Sequence, residues 1–230
     1  MAGETKAKAA GESAKAASQS ANLAGKSGYE KIYDWVAEEL PGFDLAANAP
    51  HLGLKTTEDG AVVVPLLTRE FRVDQTGAAP LDGLPAHFNR RSLAAHYAMS
   101  PGRGEPAMDF VKLSFLSGVP IGTGFGSFNK ESITSPLVRR FGDDFGALEA
   151  AVRRLGGSPD GSDSSLGHAW IIYAFPKIPL RLVYQPADEE FEAEFTLLYD
   201  RKAVDFMQFE ALGFLSGILV SDLIGWEDRV

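Results

Sequence analysis

The chain has 230 residues, of which 45% are hydrophobic and 23% are charged, a composition typical of one large soluble domain or two small ones. Its formal net charge is −9, although residues 1–28 carry four lysines and only two glutamates, so the acidic remainder disfavours nucleic acid and anionic membranes as partners. The absence of cysteine excludes disulfides, thiolate nucleophiles and cysteine-ligated metal centres within this chain.

Residues 1–28 consist mainly of Ala, Ser, Gly and Lys and are predicted to form a disordered tail, because they offer almost no large side chain for burial. The tail has no apolar run of the length that a signal peptide needs. Together with the lack of cysteine, this predicts a cytoplasmic protein with a single folded domain over residues 29–230. The first element is a helix over 29–40, which Pro41-Gly42 ends.

An antiparallel meander is predicted next. Residues 51–57 and 61–68 flank Glu58-Asp59-Gly60, and Asp-Gly is a strong signal for a tight hairpin. Residues 70–74 alternate polar and apolar side chains and are predicted as the third strand. The Pro- and Gly-rich residues 75–85 are predicted as a loop.

A helix is predicted over residues 86–99, followed by a break at 100–106 and a strand over 108–116. The glycine-rich stretch GVPIGTGFGSF, residues 118–128, comes directly after that strand. Ser135-Pro136 has the form of a helix N-cap followed by proline at the first helical position. Asp144 is predicted to cap a second helix, which ends at Gly156-Gly157.

Three strands with short connections are predicted over 168–175, 179–185 and 191–199, and short connections indicate antiparallel pairing. A buried helix near residues 205–223 closes the chain. Strands in two clusters, with helices before, between and after them, predict an α+β fold of mainly antiparallel sheets flanked by helices.

The most apolar stretch, residues 209–226, was considered as a membrane span. Glu210 and Asp222 interrupt it, and its apolar core is shorter than the roughly 20 residues that a spanning helix needs. Its Gly213-x-x-x-Gly217 spacing resembles a helix-packing face. We therefore expect a buried helix and no membrane association.

The glycine-rich stretch was compared with known phosphate-binding loops. Gly122, Gly124 and Gly126 have the wrong final spacing for a dinucleotide-binding loop, and the stretch lacks the Gly-Lys-Ser/Thr of a P-loop. The downstream residues of a kinase loop are also missing. The pattern favours a tight backbone passage. Ligand binding by its exposed backbone amides is the alternative.

The acidic turn, residues 187–194, carries five carboxylates: Asp188, Glu189, Glu190, Glu192 and Glu194. If residues 191–199 form a strand, Glu192 and Glu194 share one face and the apolar residues, beginning with Phe191, share the other. Paired carboxylates could hold a divalent cation or share a proton. A solvated hairpin with a charged edge strand is the favoured interpretation.

Four histidines are present, at positions 51, 87, 96 and 168, and none has the i, i+4 spacing of a helical zinc site. His96 and His168 are the candidates for a general base or a metal ligand. The alternative is a histidine with an ordinary structural role. A serine hydrolase has little support, because residues 161–168 lack the Gly-x-Ser-x-Gly elbow.

Three arginine pairs lie on predicted helices: Arg90-Arg91, Arg139-Arg140 and Arg153-Arg154. The favoured interpretation is a solvated helix face with salt bridges for each pair. If the pairs converge in space, they would bind an anionic ligand, and Arg139 and Arg140 are the candidates for that role.

The order of several motifs resembles a known family. These motifs are VVVPLLTREFRVD (62–74), LAAHYAM (93–99), the glycine-rich passage, PLVRRFGDD (136–144), FPKIPLRLVYQPADEEFEAEFTLLYD (175–200) and the closing helix. The order is similar to that of the domain of unknown function 3786 family, prokaryotic proteins that often come from anaerobes, and the similarity covers most of residues 29–225.

The resemblance implies no established activity. Some members of the family are joined to a cysteine-rich iron–sulfur domain, which implies a link to metal-cofactor or one-carbon metabolism in anaerobes. This chain has no cysteine and departs from that arrangement. Its residues 114–117 also lack the glutamate that relatives carry before the glycine-rich passage, and Ala187 stands where relatives carry glycine.

The leading functional prediction is a non-catalytic binding or accessory module for a small ligand or a protein partner. The alternative is an enzyme in which Asp188, Glu189 and Glu190 act with His96 or His168 as acid, base or metal ligands. A third hypothesis is a structural subunit whose 209–226 helix docks a partner. The cofactor, if there is one, is not indicated by the sequence.

Overall fold

The computed structural model of the chain describes residues 28–116, 130–161 and 167–225. The predicted tail lies almost entirely outside these residues, so its state stays a prediction. Helix α1 spans Gly28–Glu39 and continues into a 3-10 turn, Leu40–Gly42, which contains the predicted Pro-Gly stop. The predicted first helix is therefore confirmed.

Helix α2, Leu45–Leu52, was not predicted, and the prediction of a strand from residue 51 was wrong over its first residues. The Asp44 carboxylate accepts a hydrogen bond from the Ala47 amide at 3.0 Å and caps the start of the helix. Gly53, with φ +70°, ends it in the left-handed conformation. Pro50 lies inside the helix, although it has no amide hydrogen to donate.

The first sheet has four antiparallel strands in sequence order: β1 (Lys55–Thr56), β2 (Val62–Leu66), β3 (Arg69–Asp74) and β4 (Gly77–Pro80). The predicted hairpin at Asp59-Gly60 is confirmed, with Gly60 at φ +82°. The prediction of a loop over 75–85 was wrong for β4. A two-residue turn leads into β4, and there the Asp74 carboxylate accepts the Thr76 amide hydrogen at 2.8 Å.

Helix α3, Phe88–Ala98, packs on the first sheet and against α1. It also connects the two sheets of the molecule through Tyr97. The Tyr97 hydroxyl donates to the Leu52 carbonyl at 3.0 Å and accepts from the Lys177 amide at 3.1 Å, and its ring stacks on Phe175 at 4.4 Å. The Leu67 amide donates directly to the Ala174 carbonyl of the second sheet at 2.9 Å.

The second sheet has the strand order β5-β9-β8-β7-β6, and every pair is antiparallel. Its strands are β5 (Phe110–Lys112), β6 (Ser158–Pro159), β7 (His168–Phe175), β8 (Ile178–Gln185) and β9 (Glu194–Asp200). The three predicted strands are confirmed, although β9 begins three residues later than expected. The strand predicted over 108–116 was wrong beyond Lys112, where its pairing with β9 ends and the helical turn α4, Leu113–Leu116, begins.

The described residues contain four further helices: α5 (Ser135–Phe141), α6 (Phe145–Arg154), α7 (Ala203–Phe206) and α8 (Phe209–Leu223). Asp144 caps α6 as predicted, accepting the Ala147 amide hydrogen at 2.9 Å. Ser135 is not an N-cap, because a π-helical turn, Lys130–Thr134, precedes it. Thr134 instead donates its hydroxyl hydrogen to the Phe195 carbonyl at 2.9 Å.

Helix α8 lies at the centre of the helical layer, against α1, α3, α5 and α6. Its inner face is buried in a core that also includes residues of both sheets. Over the described residues, no helix is long and apolar enough to cross a membrane. The observed architecture is the predicted α+β fold, two antiparallel sheets with helices packed on them.

Candidate functional site

A groove of about 470 Å³ lies between α5 and α8. Helix α5 contributes two exposed basic residues and a proline: Pro136, Arg139 and Arg140. The end of α8 and the residue that follows it contribute Gly217, Val220, Ser221 and Ile224. This α5–α8 groove therefore has a mainly apolar floor and a cationic rim, and it falls within the 300–1,000 Å³ typical of small-molecule sites.

Part of each arginine pair lies near the C-terminal end of α8. Arg90 and Arg154 bind its last turn, and Arg139 and Arg140 line the groove beside it. Arg90 forms a bidentate ion pair with Asp222, in which one N–H···O distance is 3.0 Å. The pair is buried, since the Arg90 side chain is 4% exposed and that of Asp222 is 2% exposed. Arg154 donates to the carbonyl oxygens of Asp222 and Leu223. A solvated helix face was therefore the wrong interpretation for the buried Arg90. Arg154 is exposed as expected, although it binds carbonyl oxygens, and Arg153 is exposed and pairs with Glu149 as expected.

The contacts of Arg90 and Arg154 with α8 change the charge balance beside the groove. The last carbonyls of a helix carry a partial negative charge, and Asp222 adds a full one. Arg154 satisfies the carbonyls, and Arg90 neutralises Asp222. Arg139 and Arg140 form no ion pair in the part of the chain that the structure describes.

Arg140 is held over the ring of Phe141, with its guanidinium carbon 4.8 Å from the ring centroid. A planar guanidinium presents a fork of N–H donors that matches a carboxylate, sulfonate or phosphate group. Two guanidinium groups without carboxylate partners, on the rim of an apolar groove, are therefore suited to an anion that carries an apolar group.

A second depression, of about 290 Å³, lies between α1, α3 and β4. Arg91 is its only charged residue among those described, and the Arg91 Nε donates to the Ala78 carbonyl at 2.8 Å. Because this arginine is already used in holding α3 on β4, the depression offers a ligand less charge than the α5–α8 groove does.

His96 lies on α3 and is 3% exposed, and burial lowers its pKa to about 4. The Gln208 side chain approaches the ring and raises the pKa by a smaller amount, without forming a hydrogen bond of normal geometry. The ring contacts Trp35, with centroids 4.8 Å apart. His96 is therefore neutral at pH 7 and enclosed by protein.

His168 begins β7 and lies opposite Tyr184 of β8. Its ring is 4.2 Å from that of Phe145 and belongs to an aromatic cluster with Trp170 and Tyr184. Since β8 runs from Tyr184 into the acidic turn, His168 is at the acidic end of the second sheet. The residue after His96, Tyr97, stacks on Phe175 at the other end of β7. The structure thus places one candidate histidine near the acidic turn and the other far from it.

The acidic turn is exposed from Ala187 to Glu192. The Asp188 carboxylate accepts the amide hydrogens of Glu190 and Phe191 at 2.9 and 2.8 Å, and these bonds lower the pKa of Asp188. Glu189 and Glu190 belong to no metal-binding cluster. Over the residues described, no group of three acidic or histidine side chains could hold a metal ion.

The predicted alternation of β9 is confirmed from Ala193 onward, where apolar residues are buried and Glu194 is exposed. The expectation for Phe191 was wrong, because this residue lies before the strand and is 70% exposed. The described geometry is that of a solvated turn with a charged strand face.

The glycine-rich stretch, with Gly122, Gly124 and Gly126, lies outside the described residues, and both interpretations of it stay predictions. The groove residues on α8 were not among the candidates taken from the sequence. Gly217 was the available signal, because a glycine inside a long apolar helix lowers helix stability and so needs a reason.

The fold and the groove together define an α+β domain with a cationic, apolar-floored groove on its central helix. A family model described as Domain of unknown function (DUF3786) matches residues 44–222. The chain belongs to this family, which confirms the resemblance seen in its motifs. No curated protein and no solved structure matches the chain.

Proposed function

We propose that this domain is a binding module that holds an anionic ligand in the α5–α8 groove through Arg139 and Arg140. The observation that carries the proposal is the pair of guanidinium groups, without carboxylate partners among the described residues, on a groove of about 470 Å³. The chain has a net charge of −9, so these two arginines form a local cationic site on an acidic protein. A local site of this kind is selective for anions.

The guanidinium groups of Arg139 and Arg140 would each contribute to the binding free energy of an anion. A hydrogen bond between charged groups contributes about 1.5–3 kcal/mol. Exposure of both arginines reduces this contribution to about 1 kcal/mol or less, because solvent screens exposed ion pairs. Each guanidinium would therefore strengthen binding by roughly two- to fivefold, since 1.4 kcal/mol corresponds to a factor of ten.

The binding role is preferred to the enzyme alternative on the positions of the candidate groups. His96 is buried and neutral, and the carboxylates of Asp188, Glu189 and Glu190 are in a solvated turn at the other end of the second sheet. His168 is near that turn and exposed, with its ring against the aromatic rings of Phe145 and Trp170. The burial of His96 and its separation from the acidic turn support a binding role for the domain more than a shared acid–base site.

The third hypothesis, a partner-docking α8, has less support, because most of the helix is buried in the core of the domain. A link to metal-cofactor or one-carbon metabolism rests on the family resemblance alone, and a cytoplasmic location rests on composition. Neither is needed for the proposed binding function.

The test uses 1-anilinonaphthalene-8-sulfonate, an anionic aromatic dye whose fluorescence rises on binding to apolar surface. We expect the full chain to bind it saturably, and we expect Arg139→Gln and Arg140→Gln each to raise its Kd by about two- to fivefold. Arg153→Gln is the matched control, because Arg153 is an exposed arginine on α6 away from the groove. Its Kd should equal that of the wild type.

Circular dichroism melting of each variant checks that the fold is retained. An unchanged Kd in the folded Arg139→Gln/Arg140→Gln double variant would show that the proposed site is wrong.

A further inference from the structure

Gly217 is an exposed glycine within α8, and packing against the described residues does not require it. A Cβ added at this position would meet no atom of those residues within 4 Å, and Gly217 does not adopt a positive φ. Glycine inside a helix is less stable than alanine, because it loses more backbone freedom on folding. Neither crowding nor backbone geometry therefore explains glycine here.

The position of Gly217 supplies an explanation. It lies on the floor of the α5–α8 groove, beside Val220 and Ile224 and facing Pro136 of α5. A side chain at position 217 would project into the groove and reduce its volume. The missing side chain keeps a flat stretch of helix surface open between apolar walls.

We propose that the groove takes an amphipathic anion: a ligand whose apolar body lies over Gly217 and whose single acidic group is bound by Arg139 and Arg140. This inference rests on the proposed function and names the chemical class of its ligand. An apolar body is required because the rest of the lining offers almost no hydrogen-bonding side chains. Val220 is only 5% exposed, so the affinity would come mainly from removing the ligand's own apolar body and the half-buried Ile224 from water.

The placement of the charges on the groove argues for a single acidic head group. Among the described residues, Arg139 and Arg140 are the charged side chains that line the groove, and both lie in the last turn of α5. A carboxylate or sulfonate on an apolar body fits this arrangement better than a pyrophosphate, which has no apolar part to lie over Gly217.

The experiment compares three probes on the full chain: dodecanoate, 1-anilinonaphthalene-8-sulfonate and inorganic pyrophosphate. We expect dodecanoate to displace the dye, and pyrophosphate to bind at least 100-fold more weakly than dodecanoate. Gly217→Leu should weaken dodecanoate and dye binding by at least tenfold, and Gly217→Ala by two- to fivefold. Both variants should melt at a higher temperature than the wild type, because alanine and leucine are better helix formers.

Gly146→Leu is the matched control. Gly146 is an exposed helical glycine on α6 with room for a Cβ, and its nearest neighbour would be Asp144 Oδ1 at 3.7 Å. The Gly146→Leu variant should bind dodecanoate and the dye with the affinity of the wild type. If Gly217→Leu does not fold, Gly217→Ala gives the same comparison with a smaller expected change.

The results separate this inference from the proposed function. Wild-type affinity in the Gly217 variants, or pyrophosphate binding as tightly as dodecanoate, overturns the inference, while an effect of the arginine variants would leave the proposed function standing. Probe binding that is independent of Arg139 and Arg140 overturns both the inference and the proposed function.

The Gly213-x-x-x-Gly217 spacing also allows a second copy of the chain to pack on this part of α8. A wild-type dimer that Gly217→Leu converts to monomer, with dye affinity unchanged, would overturn the inference in favour of self-association.

Discussion

His96 illustrates how a single buried residue links protonation to folding. Its native pKa of about 4 lies below the ordinary value of 6.5, so the unfolded chain binds more protons than the native chain between these values. The stability that comes from keeping His96 neutral is fully present above about pH 6.5. It is lost progressively as the pH falls toward 4.

We therefore expect the wild type to lose about 2 kcal/mol of unfolding free energy between pH 7.5 and pH 5 through this residue. Urea unfolding at the two pH values measures the loss. His96→Leu, which cannot titrate, should lose much less over the same interval. An equal loss in His96→Leu and wild type would contradict this account.

At the scale of elements, α8 is fixed to its neighbours by charge as well as by apolar burial. Arg90 on α3 and Arg154 on α6 both bind the last turn of α8, one through the Asp222 carboxylate and the other through backbone carbonyls. A buried ion pair stabilises little compared with a well-packed apolar pair, but removing one partner leaves an uncompensated charge.

This predicts strong coupling between Arg90 and Asp222. Asp222→Leu alone should lower the free energy of unfolding by about 3–5 kcal/mol, because it leaves a buried guanidinium without its carboxylate. Adding Arg90→Met should recover at least about 2 kcal/mol of that loss. Urea unfolding of the wild type, both single variants and the double variant measures the coupling. Strictly additive effects would show that the two side chains do not act as a pair.

Most elements could be predicted because local signals and long-range packing agree on them. The strands β7 and β8 with their short connection, the Asp144 cap and the Pro41-Gly42 stop all match the observed structure. The predictions failed where pairing between strands outweighed the local propensity of the residues. In β4, two alanines and a proline have low strand propensity, yet residues 77–80 pair with β3 after a two-residue turn.

The groove could not be predicted as a site. Arg139 and Arg140 were recognised as candidates for an anionic ligand only if the arginine pairs met in space. That condition depends on α3, α5 and α6 packing around one end of α8, and no local pattern in the sequence reports such packing. Gly217 carried a signal of its own, but its meaning depends on the open space above it.

For the whole molecule, one core joins both sheets to the helical layer, and α8 is central to it. The groove is therefore built on a helix whose other face is packed in the core. A site on such a rigid element loses little conformational freedom when a ligand binds. The net charge of −9 means that attraction for an anion must come from the groove itself and not from the protein as a whole.

The most direct test of the binding function is to locate the ligand on the protein. ¹H–¹⁵N NMR spectra of the 24.7 kDa chain, recorded during titration with dodecanoate, report the amides that sense it. We predict that the largest shift changes fall in residues 137–141 and 216–224, and that the Arg139→Gln/Arg140→Gln variant shows none of them at the same concentration. Shift changes confined to the acidic turn, or to the depression between α1, α3 and β4, would contradict the proposed site.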